Sequence, residues 1–303
     1  MSGSRIAVVV VNFGSHELLE RNFAPLDGAD VVVVDNFSSA AERTAVRASS
    51  QRHGWQLVEM AGNDGFGAGV NAGVRAALAR GVTAFLLLNP DAVIDLLTLE
   101  RLGEAVHRQP MSVLSPRVNN PDGTPYFAGY SFLMSSGRIR RSDGTVAVPA
   151  DAVPWISGAC MAFSDQVFDR TGGFRDAYFL YWEDIDFSVR AAEAGAELRV
   201  ERDLIAVHDE GGTQGRTGRA KSATYYRYNC RNRLLFAAQH LPTRSLVRWI
   251  LLTPRESWQV LLRGGRRQLL HSPRPLIATV RGSLEGLGLA LAELLRRSRP
   301  TRT

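Results

Sequence analysis

The chain has 303 residues, 45% of them hydrophobic, 22% charged and 8% aromatic, which is enough apolar material for a core in one or two domains and excludes a disordered, fibrous or disulfide-stapled chain. Its two cysteines, Cys160 and Cys230, stand too far apart for a Cys-x-x-Cys metal or redox motif, so a reducing compartment is expected. The net charge of +6 is uneven: from Arg244 onward twelve arginines face three glutamates, a net of +9, which leaves 24 basic against 27 acidic residues, or −3, before it.

Apolar β-branched runs alternate with helical periodicity along the first third of the chain. Ile6 to Val11 leads into a helical pattern over Ser15 to Phe23, and Val31 to Val34 into Ser39 to His53. Leu57 to Met60 then precedes Ala68 to Arg80, and Ala84 to Leu88 precedes Asp95 to Gln109. Strand followed by helix, repeated, predicts an α/β unit with a mainly parallel sheet covered on both faces.

Each of these strands ends in polar residues: Asn12, then Asp35-Asn36, then Asn63-Asp64, then Asn89-Pro90-Asp91. Any one of them could simply open a turn or cap a helix. Four together line the edge where open parallel sheets bind ligands, just beyond the carboxyl ends of the strands. The stretch Gly67 to Ala72 also fits G-x-G-x-x-A, but it follows the third strand instead of the first, so a nicotinamide-binding reading is set aside. Glycines at this turn, with Gly65 and Gly69 beside Phe66, are expected to let backbone approach a nucleotide.

Beyond Pro110 the pattern changes. Ser115 to Val153 is rich in Pro, Gly, Asn and Ser and is predicted to be an irregular excursion with short strands, turning at Asn120-Pro121-Asp122-Gly123. Trp155 to Phe163 then predicts a buried strand that passes close to a ligand or another backbone at Gly158. Tyr178 to Trp182 leads straight into Glu183-Asp184-Ile185-Asp186, the densest acidic cluster, at the start of a helix that runs toward Gly195. Acids suit a first helical turn, and Asp186 can pair with Arg190 at i, i+4. Three carboxylates after an aromatic run also suit a general base, because apolar surroundings raise a carboxyl pKa. Ile205 to His208 places a histidine at the end of another apolar run, which with Asp91 could complete an oxygen and nitrogen site for a divalent ion.

The ordered set Val8 to Asn12, Val33 to Ser39, Asn63 to Asn71, Leu87 to Asp91, Ser157-Gly158-Ala159, Gly172-Gly173-Phe174, Glu183 to Asp186 and His208 resembles glycosyltransferase family 2, and within it the bacterial rhamnosyltransferase-like members. The resemblance implies an A-type glycosyltransferase fold: a Rossmann-like, nucleotide-binding mixed sheet flanked by helices. It further implies an inverting transfer of a sugar, L-rhamnose from dTDP-rhamnose in the first instance, to a hydroxyl of a cell-envelope or lipid-linked glycan. On this resemblance Asp35 holds the base or ribose, with Asn12, Asn36, Asn63, Gly65, Phe66, Gly69, Asn71 and Asn89 lining the donor site. Asp91 bridges to the diphosphate through Mg²⁺ or Mn²⁺ with His208, and Asp184, next to Glu183, is the general base. Gly158, Trp182 and Asp186 are expected beside the acceptor or sugar. Asn89 stands where the family carries the first acid of its Asp-x-Asp motif, which removes one anionic ligand. Arg175 follows Gly-Gly-Phe where an acid usually comes, so Asp176 is not carried over as a site residue.

The catalytic domain is expected over residues 1–241 and a basic amphipathic helical extension over residues 242–303. In the extension Leu276, Val280, Leu284, Leu287, Leu291 and Leu294 recur at helical spacing among arginines, a pattern that points to an anionic membrane surface. Packing on the catalytic domain or a homodimer partner is the alternative, with Gly282, Gly286 and Gly288 counting against an isolated helix. No nucleic-acid partner is expected. With neither a leader-like start nor ~20 uninterrupted apolar residues, the expected place is the cytoplasm, at most peripheral on the inner face of the cell membrane. The alternative function is a catalytically inactive nucleotide-sugar-binding or scaffold protein of a glycan assembly complex.

Overall fold

The computed structural model of the protein describes residues 5–142, 147, 149–208 and 221–299. The chain divides into two compact units, Met1–Leu133 with Ile139–Phe179 and Glu183–Gly215, and Met134–Arg138 with Leu180–Trp182 and Arg216–Thr303.

The first unit opens with the expected alternation: β1 (Ile6–Asn12), α1 (His16–Phe23), β2 (Asp30–Asp35), α2 (Ala40–His53), β3 (Gln56–Glu59), α3 (Phe66–Leu78), β4 (Ala84–Leu88), the short β5 (Ala92–Val93) and α4 (Leu96–Arg108). It continues through β6 (Ser112–Asn119), β7 (Pro125–Phe127), β8 (Tyr130–Leu133), β9 (Arg138–Arg141), β10 (Ala152–Trp155), β11 (Cys160–Ser164), α5 (Asp165–Thr171), α6 (Glu183–Glu193) and β12 (Glu197–His208). The main sheet has the order β3-β2-β1-β4-β11-β6-β12-β5, with β7 paired to β6, while β10, β8 and β9 form a small second sheet. β3, β2, β1 and β4 run parallel, β11 is antiparallel to both β4 and β6, and β12 is parallel to β6. The sheet is therefore mixed. All seven residues of β1 are buried, as a continuous valine-rich run requires in a strand with both faces covered.

α3 reaches this sheet through its glycines. A Cβ on Gly69 would stand 2.8 Å from Val11 Cγ1, and one on Gly73 would stand 2.5 Å from Val9 Cγ1. The glycine repeat that invited a nucleotide reading thus lets a helix lie against β-branched side chains of β1.

Two sequence expectations change here. The excursion predicted from Ser115 starts later, because β6 runs through to Asn119 in the main sheet, and the turn follows it where Gly123 N–H donates to the Asn120 carbonyl at 2.9 Å. The single strand predicted over Trp155 to Phe163 is two strands in different sheets, β10 and β11, parted at Ser157-Gly158-Ala159. Continuous apolarity marks burial, and it does not distinguish one strand from two.

The second unit is helical: α7 (Ala223–His240), α8 (Thr243–Leu251), α9 (Thr253–Leu262), α10 (Gln268–His271) and α11 (Arg274–Ser298). α7 belongs to this unit, ahead of the 241/242 boundary expected from composition. It packs along α11, where Ala278, Gly282, Gly286 and Ala290 are buried on one face. A Cβ on Gly282 would come within 2.0 Å of the Arg227 carbonyl oxygen, and one on Gly286 within 2.9 Å of that of Arg231. The glycines that count against an isolated helix are the contact that holds this one.

Candidate active site

The carboxyl edge of the main sheet gathers most of the polar residues singled out above. Beyond β2, Asp35 is fully buried and its Oδ2 accepts from Arg43 Nε of α2, while the Arg43 guanidinium lies 4.6 Å from the Phe37 ring centroid. Phe37 has φ +29°, one of three non-glycine residues in the left-handed region among the described residues. Asn36 ties this strand end to the next loop: its Nδ2 donates to Asn63 Oδ1 and the Gly65 carbonyl, each at 3.1 Å, and its Oδ1 accepts from Asp64 N–H at 3.2 Å. Gly65, at φ +97°, is passed so closely by Phe179 that a Cβ would meet the Phe179 carbonyl oxygen at 2.3 Å. Only glycine fits that crossing.

Beyond β4, Asn89 N–H donates to the Ala159 carbonyl at 3.0 Å, which pins the Asn89-Pro90-Asp91 corner to the start of β11. Asn22 of α1 supports the same corner, its Nδ2 donating to the Pro90 carbonyl at 2.8 Å. Asp91 is 2% exposed and His208 4%. The register that pairs His208 of β12 with Ala92 of β5 brings Nε2 of His208 within 3.0 Å of Asp91 Oδ1. The Tyr126 ring covers the imidazole at 4.6 Å between centroids, and His208 Nδ1 has no hydrogen-bond partner among the described residues. The two form an oxygen and nitrogen donor set suited to a hard or borderline divalent cation. No three His, Cys, Asp or Glu side chains cluster for a metal among the described residues.

At the start of α6 the carboxylates part company. Asp184 is half-buried, with Oδ2 accepting from Gly158 N–H at 3.1 Å and Oδ1 from its neighbour Ile185 N–H at 2.8 Å. Burial pushes its carboxyl up to about 6, against the pull of those two amides. Glu183 is buried, and its carboxyl stands well above the usual range because of that burial and the charge of Asp184. Asp186 is fully buried in a different role: Arg175 Nη1 lies 2.9 Å from Oδ1, and Arg190 donates from Nε to Oδ2 at 2.8 Å. Ser188, one turn beyond Asp184, accepts from Ile156 N–H at 3.2 Å and so holds the loop that carries Gly158 against α6. A Cβ on Gly158 would meet both Asp184 Cβ and the Phe66 ring at 3.4 Å.

Several expected ligand contacts are spent inside the protein. Asn12 donates to Glu42 Oε1 at 3.0 Å and accepts from Ser15 N–H at 3.1 Å, so it shapes the turn after β1. Asn71 clasps Phe174, donating to its carbonyl at 2.7 Å and accepting from its N–H at 2.9 Å. Gly69 faces Val11, and Asp186 faces two guanidinium groups. Trp182 lies in the second unit, its ring 5.7 Å from that of Phe236 and 6.3 Å from that of Trp249. It and Tyr181 have φ of +76° and +65°, and Asn232 holds the turn by donating to the Leu180 and Tyr181 carbonyls at 2.9 and 2.8 Å. Left-handed non-glycine residues cost energy and persist where surroundings over-determine them, often next to functional groups. Asp209 to Gly212, which follow His208, lie outside the described residues. Sequence reading passed over Asn22, Glu42, Arg43, Tyr126 and Ser188. A signal existed only for Glu42, since Ser39-x-x-Glu42 reads as a capping box, and Ser39 Oγ does accept from Glu42 N–H at 3.2 Å.

Comparison with known proteins follows the same lines. Over 213 residues the chain is 28% identical to the low-salt glycan biosynthesis hexosyltransferase of Haloferax volcanii, covering 68% of this chain and 67% of that protein. It is 27% identical over 220 residues to the N-acetylglucosaminyl-diphospho-decaprenol L-rhamnosyltransferase of Mycobacterium tuberculosis, covering 63% of this chain and 71% of that one. Among solved structures, a mannosyltransferase from Pyrobaculum calidifontis in complex with GDP-Man and Mn²⁺ superposes with a TM-score of 0.53 at 16% identity, over 97% of this chain and 88% of that one. The structure of GalNAc-T7 with UDP, GalNAc and Mn²⁺ does so with a TM-score of 0.53 at 13% identity, over 78% of this chain and half of that one. These two likenesses are of fold, the A-type glycosyltransferase fold. Residues 8–172, more than half of the chain, match the glycosyl transferase family 2 domain and include Asn12, Asp35, Asn89-Pro90-Asp91 and Gly158, so the chain belongs to glycosyl transferase family 2.

Proposed function

We propose that this glycosyltransferase moves a hexosyl group, L-rhamnose from dTDP-rhamnose in the first instance, with inversion onto a hydroxyl of a cell-envelope or polyprenyl-diphosphate-linked glycan, working peripherally at the inner face of the membrane. The observation that carries the reading is the Asp184 carboxylate, oriented by the Gly158 and Ile185 amides and raised to about 6. The activities for which the two relatives are named support the sugar and the acceptor class.

Inverting transfer needs two things, a proton taken from the attacking hydroxyl and charge neutralised on the departing diphosphate. Asp184 takes the proton: the acceptor oxygen bonds to the anomeric carbon as its hydrogen passes to the carboxylate, and the sugar–phosphate bond breaks on the opposite face. A base whose pKa lies just below neutrality is ionised at pH 7 yet still basic enough to pull. The two amides fix the carboxylate's orientation, and beside it burial holds the Glu183 carboxyl well above its usual range. Asp91 and His208 would hold Mg²⁺ or Mn²⁺, which when bound supplies charge neutralisation at the leaving diphosphate. Asp35, fixed by Arg43, faces the nucleoside end of the donor site, and the Asn36-Asn63-Gly65 network shapes the loop beside it.

The test is direct. Incubation with dTDP-rhamnose, Mn²⁺ and a short-chain N-acetylglucosaminyl-diphospho-prenol should yield a rhamnosylated product whose anomeric configuration, read by NMR, is inverted relative to the donor. A retained configuration overturns the mechanism. No transfer and no donor hydrolysis with any of UDP-, GDP- or dTDP-sugars overturns the enzymatic reading.

A further inference from the structure

The second unit carries an apolar surface whose existence the leucine spacing of α11 foreshadowed and whose direction it did not. Because α11 uses its small face, Gly282 and Gly286 among it, to lie on α7, its larger apolar side chains point elsewhere. Leu276, Val280 and Leu284 are 46, 49 and 64% exposed. Beside them on α8 and α9, Leu251 is 74% and Trp258 52% exposed. Together with Pro254 these residues line an open groove of about 490 Å³ with almost no polar lining. A contiguous apolar patch of this kind is uncommon on a monomer surface unless something covers it.

The charge around the groove says what covers it. Between Thr243 and Leu287, the stretch that includes the groove lining, the chain has eight arginines, all exposed, against two acids, Glu256 and Glu285, the second of which is paired with Arg227 and Arg281. A second copy of the same surface would set these arginines against one another, and like charges across an interface count against it. An anionic bilayer offers the opposite: headgroups that attract arginine, an acyl boundary that takes leucine, and the interfacial zone that tryptophan favours. No helix among the described residues is long and apolar enough to cross a membrane, so the mode is lying on the surface, not spanning it.

We infer that the exposed face of α8, α9 and α11, with Trp258 and Leu284 at its centre, is a docking surface for the anionic membrane on which the proposed lipid-linked acceptor resides. The inference deepens the membrane-side reading given above and rests on it for the identity of that membrane alone, since docking is measured without any transfer. In the docked state the leucines and Trp258 sit at the acyl boundary while the arginines contact headgroups. Affinity should therefore fall both with added salt and with loss of apolar area.

The full-length protein is mixed with vesicles of phosphatidylcholine, alone or with one quarter phosphatidylglycerol, and sedimented at low and high salt. Selective binding to the phosphatidylglycerol vesicles at low salt is expected, weakened by salt. A Trp258→Ser/Leu284→Ser variant should bind about tenfold less or weaker, given the apolar area removed, while its unfolding temperature and its transfer to a water-soluble acceptor stay unchanged. Should that variant misfold, quenching of tryptophan emission by brominated lipids decides instead, present in the native chain and lost in Trp258→Phe. Binding that ignores phosphatidylglycerol, equal binding by the folded double variant, or quenching that survives Trp258→Phe overturns the proposal. A concentration-dependent dimer that the variant splits, without vesicle binding, overturns it in favour of self-association. Absence of transfer by a protein that still docks counts against the proposed activity and leaves the docking surface standing.

Discussion

Asp184, Glu183 and Asp186 lie within one turn of α6 and answer to three different environments. Asp184 is raised from 3.8 to about 6 by burial, so transfer should fall as pH drops through about 6, and Asp184→Asn should remove that limb. The variant should cut the rate by ~10²- to 10⁴-fold while donor binding persists, because it deletes proton abstraction at nearly constant volume. Transfer lost in Asp186→Asn and kept in Asp184→Asn would mean that the base is the other acid. Stability gives a second readout. A carboxyl that binds its proton more tightly folded than unfolded stabilises the fold below about pH 4, and that contribution is lost as pH rises through about 6. Asp184→Asn should therefore gain on the order of 2 kcal/mol over the native chain at pH 8 and lose that advantage below about pH 4, as urea titrations at the two pH values would read. Asp186 behaves oppositely. Its carboxylate is fully buried between Arg175 and Arg190, and removing it takes the paired carboxylate from the buried Arg190 guanidinium, so Asp186→Ala should cost about 3–5 kcal/mol.

At the scale of elements, glycine decides how helices meet their neighbours. On α11, Gly282 abuts the Arg227 carbonyl of α7 at a distance no Cβ can share, whereas a Cβ on Gly288 would meet nothing within 4 Å. Gly282→Ala should thus destabilise the protein by about 1–3 kcal/mol through overpacking. Gly288→Ala, two turns along the same helix, should stabilise it by about 0.5–1 kcal/mol through helix propensity. Thermal unfolding of the pair checks both signs at once. If Gly282→Ala is tolerated as well as Gly288→Ala, α11 does not lie on α7 by its small face. The same logic governs α3 on β1: Gly73, 2.5 Å from Val9 Cγ1 and 2.9 Å from Val34 Cγ2 as a would-be Cβ, has no room for a side chain, since a valine strand cannot yield as a flexible chain end would.

For the molecule as a whole, the proposed donor binding depends on strands far apart in sequence meeting at one sheet edge. Asp91 follows β4 and His208 ends β12, and they face each other only because β5, two residues long, pairs with the end of β12. Binding of a nucleoside diphosphate, followed by calorimetry with Mn²⁺, should weaken about tenfold or more in EDTA and again in Asp91→Ala. Unchanged affinity under both conditions would take Asp91 out of the donor site. His208→Ala should weaken binding less than Asp91→Ala, because it removes a neutral donor and leaves the charge in place.

Local order made much of this protein readable. The alternation from Ile6 to Gln109 declared an α/β sheet, since a strand buried on both faces must be continuously apolar and its crossover helix must be amphipathic. The Asn and Asp residues at the strand ends marked the edge where the fold gathers them, and the i, i+4 spacing of Asp186 and Arg190 announced their ion pair. Tertiary structure decided which polar residues are consumed by contacts within the protein. Asn71 and Asn63 look alike in sequence, yet the first is consumed by Phe174, 103 positions away, and the second shapes the loop beside Asp35. Gly69 reads as a phosphate turn and is a packing contact with Val11. Asp184 becomes the raised carboxylate only when Gly158, parted from it by 26 positions, is folded against it. Periodicity is a property of neighbours along the chain, and hydrogen bonds, desolvation and steric contact belong to neighbours in space, so sequence alone determined the sheet and its polar edge while the fold chose the surroundings of each group on it.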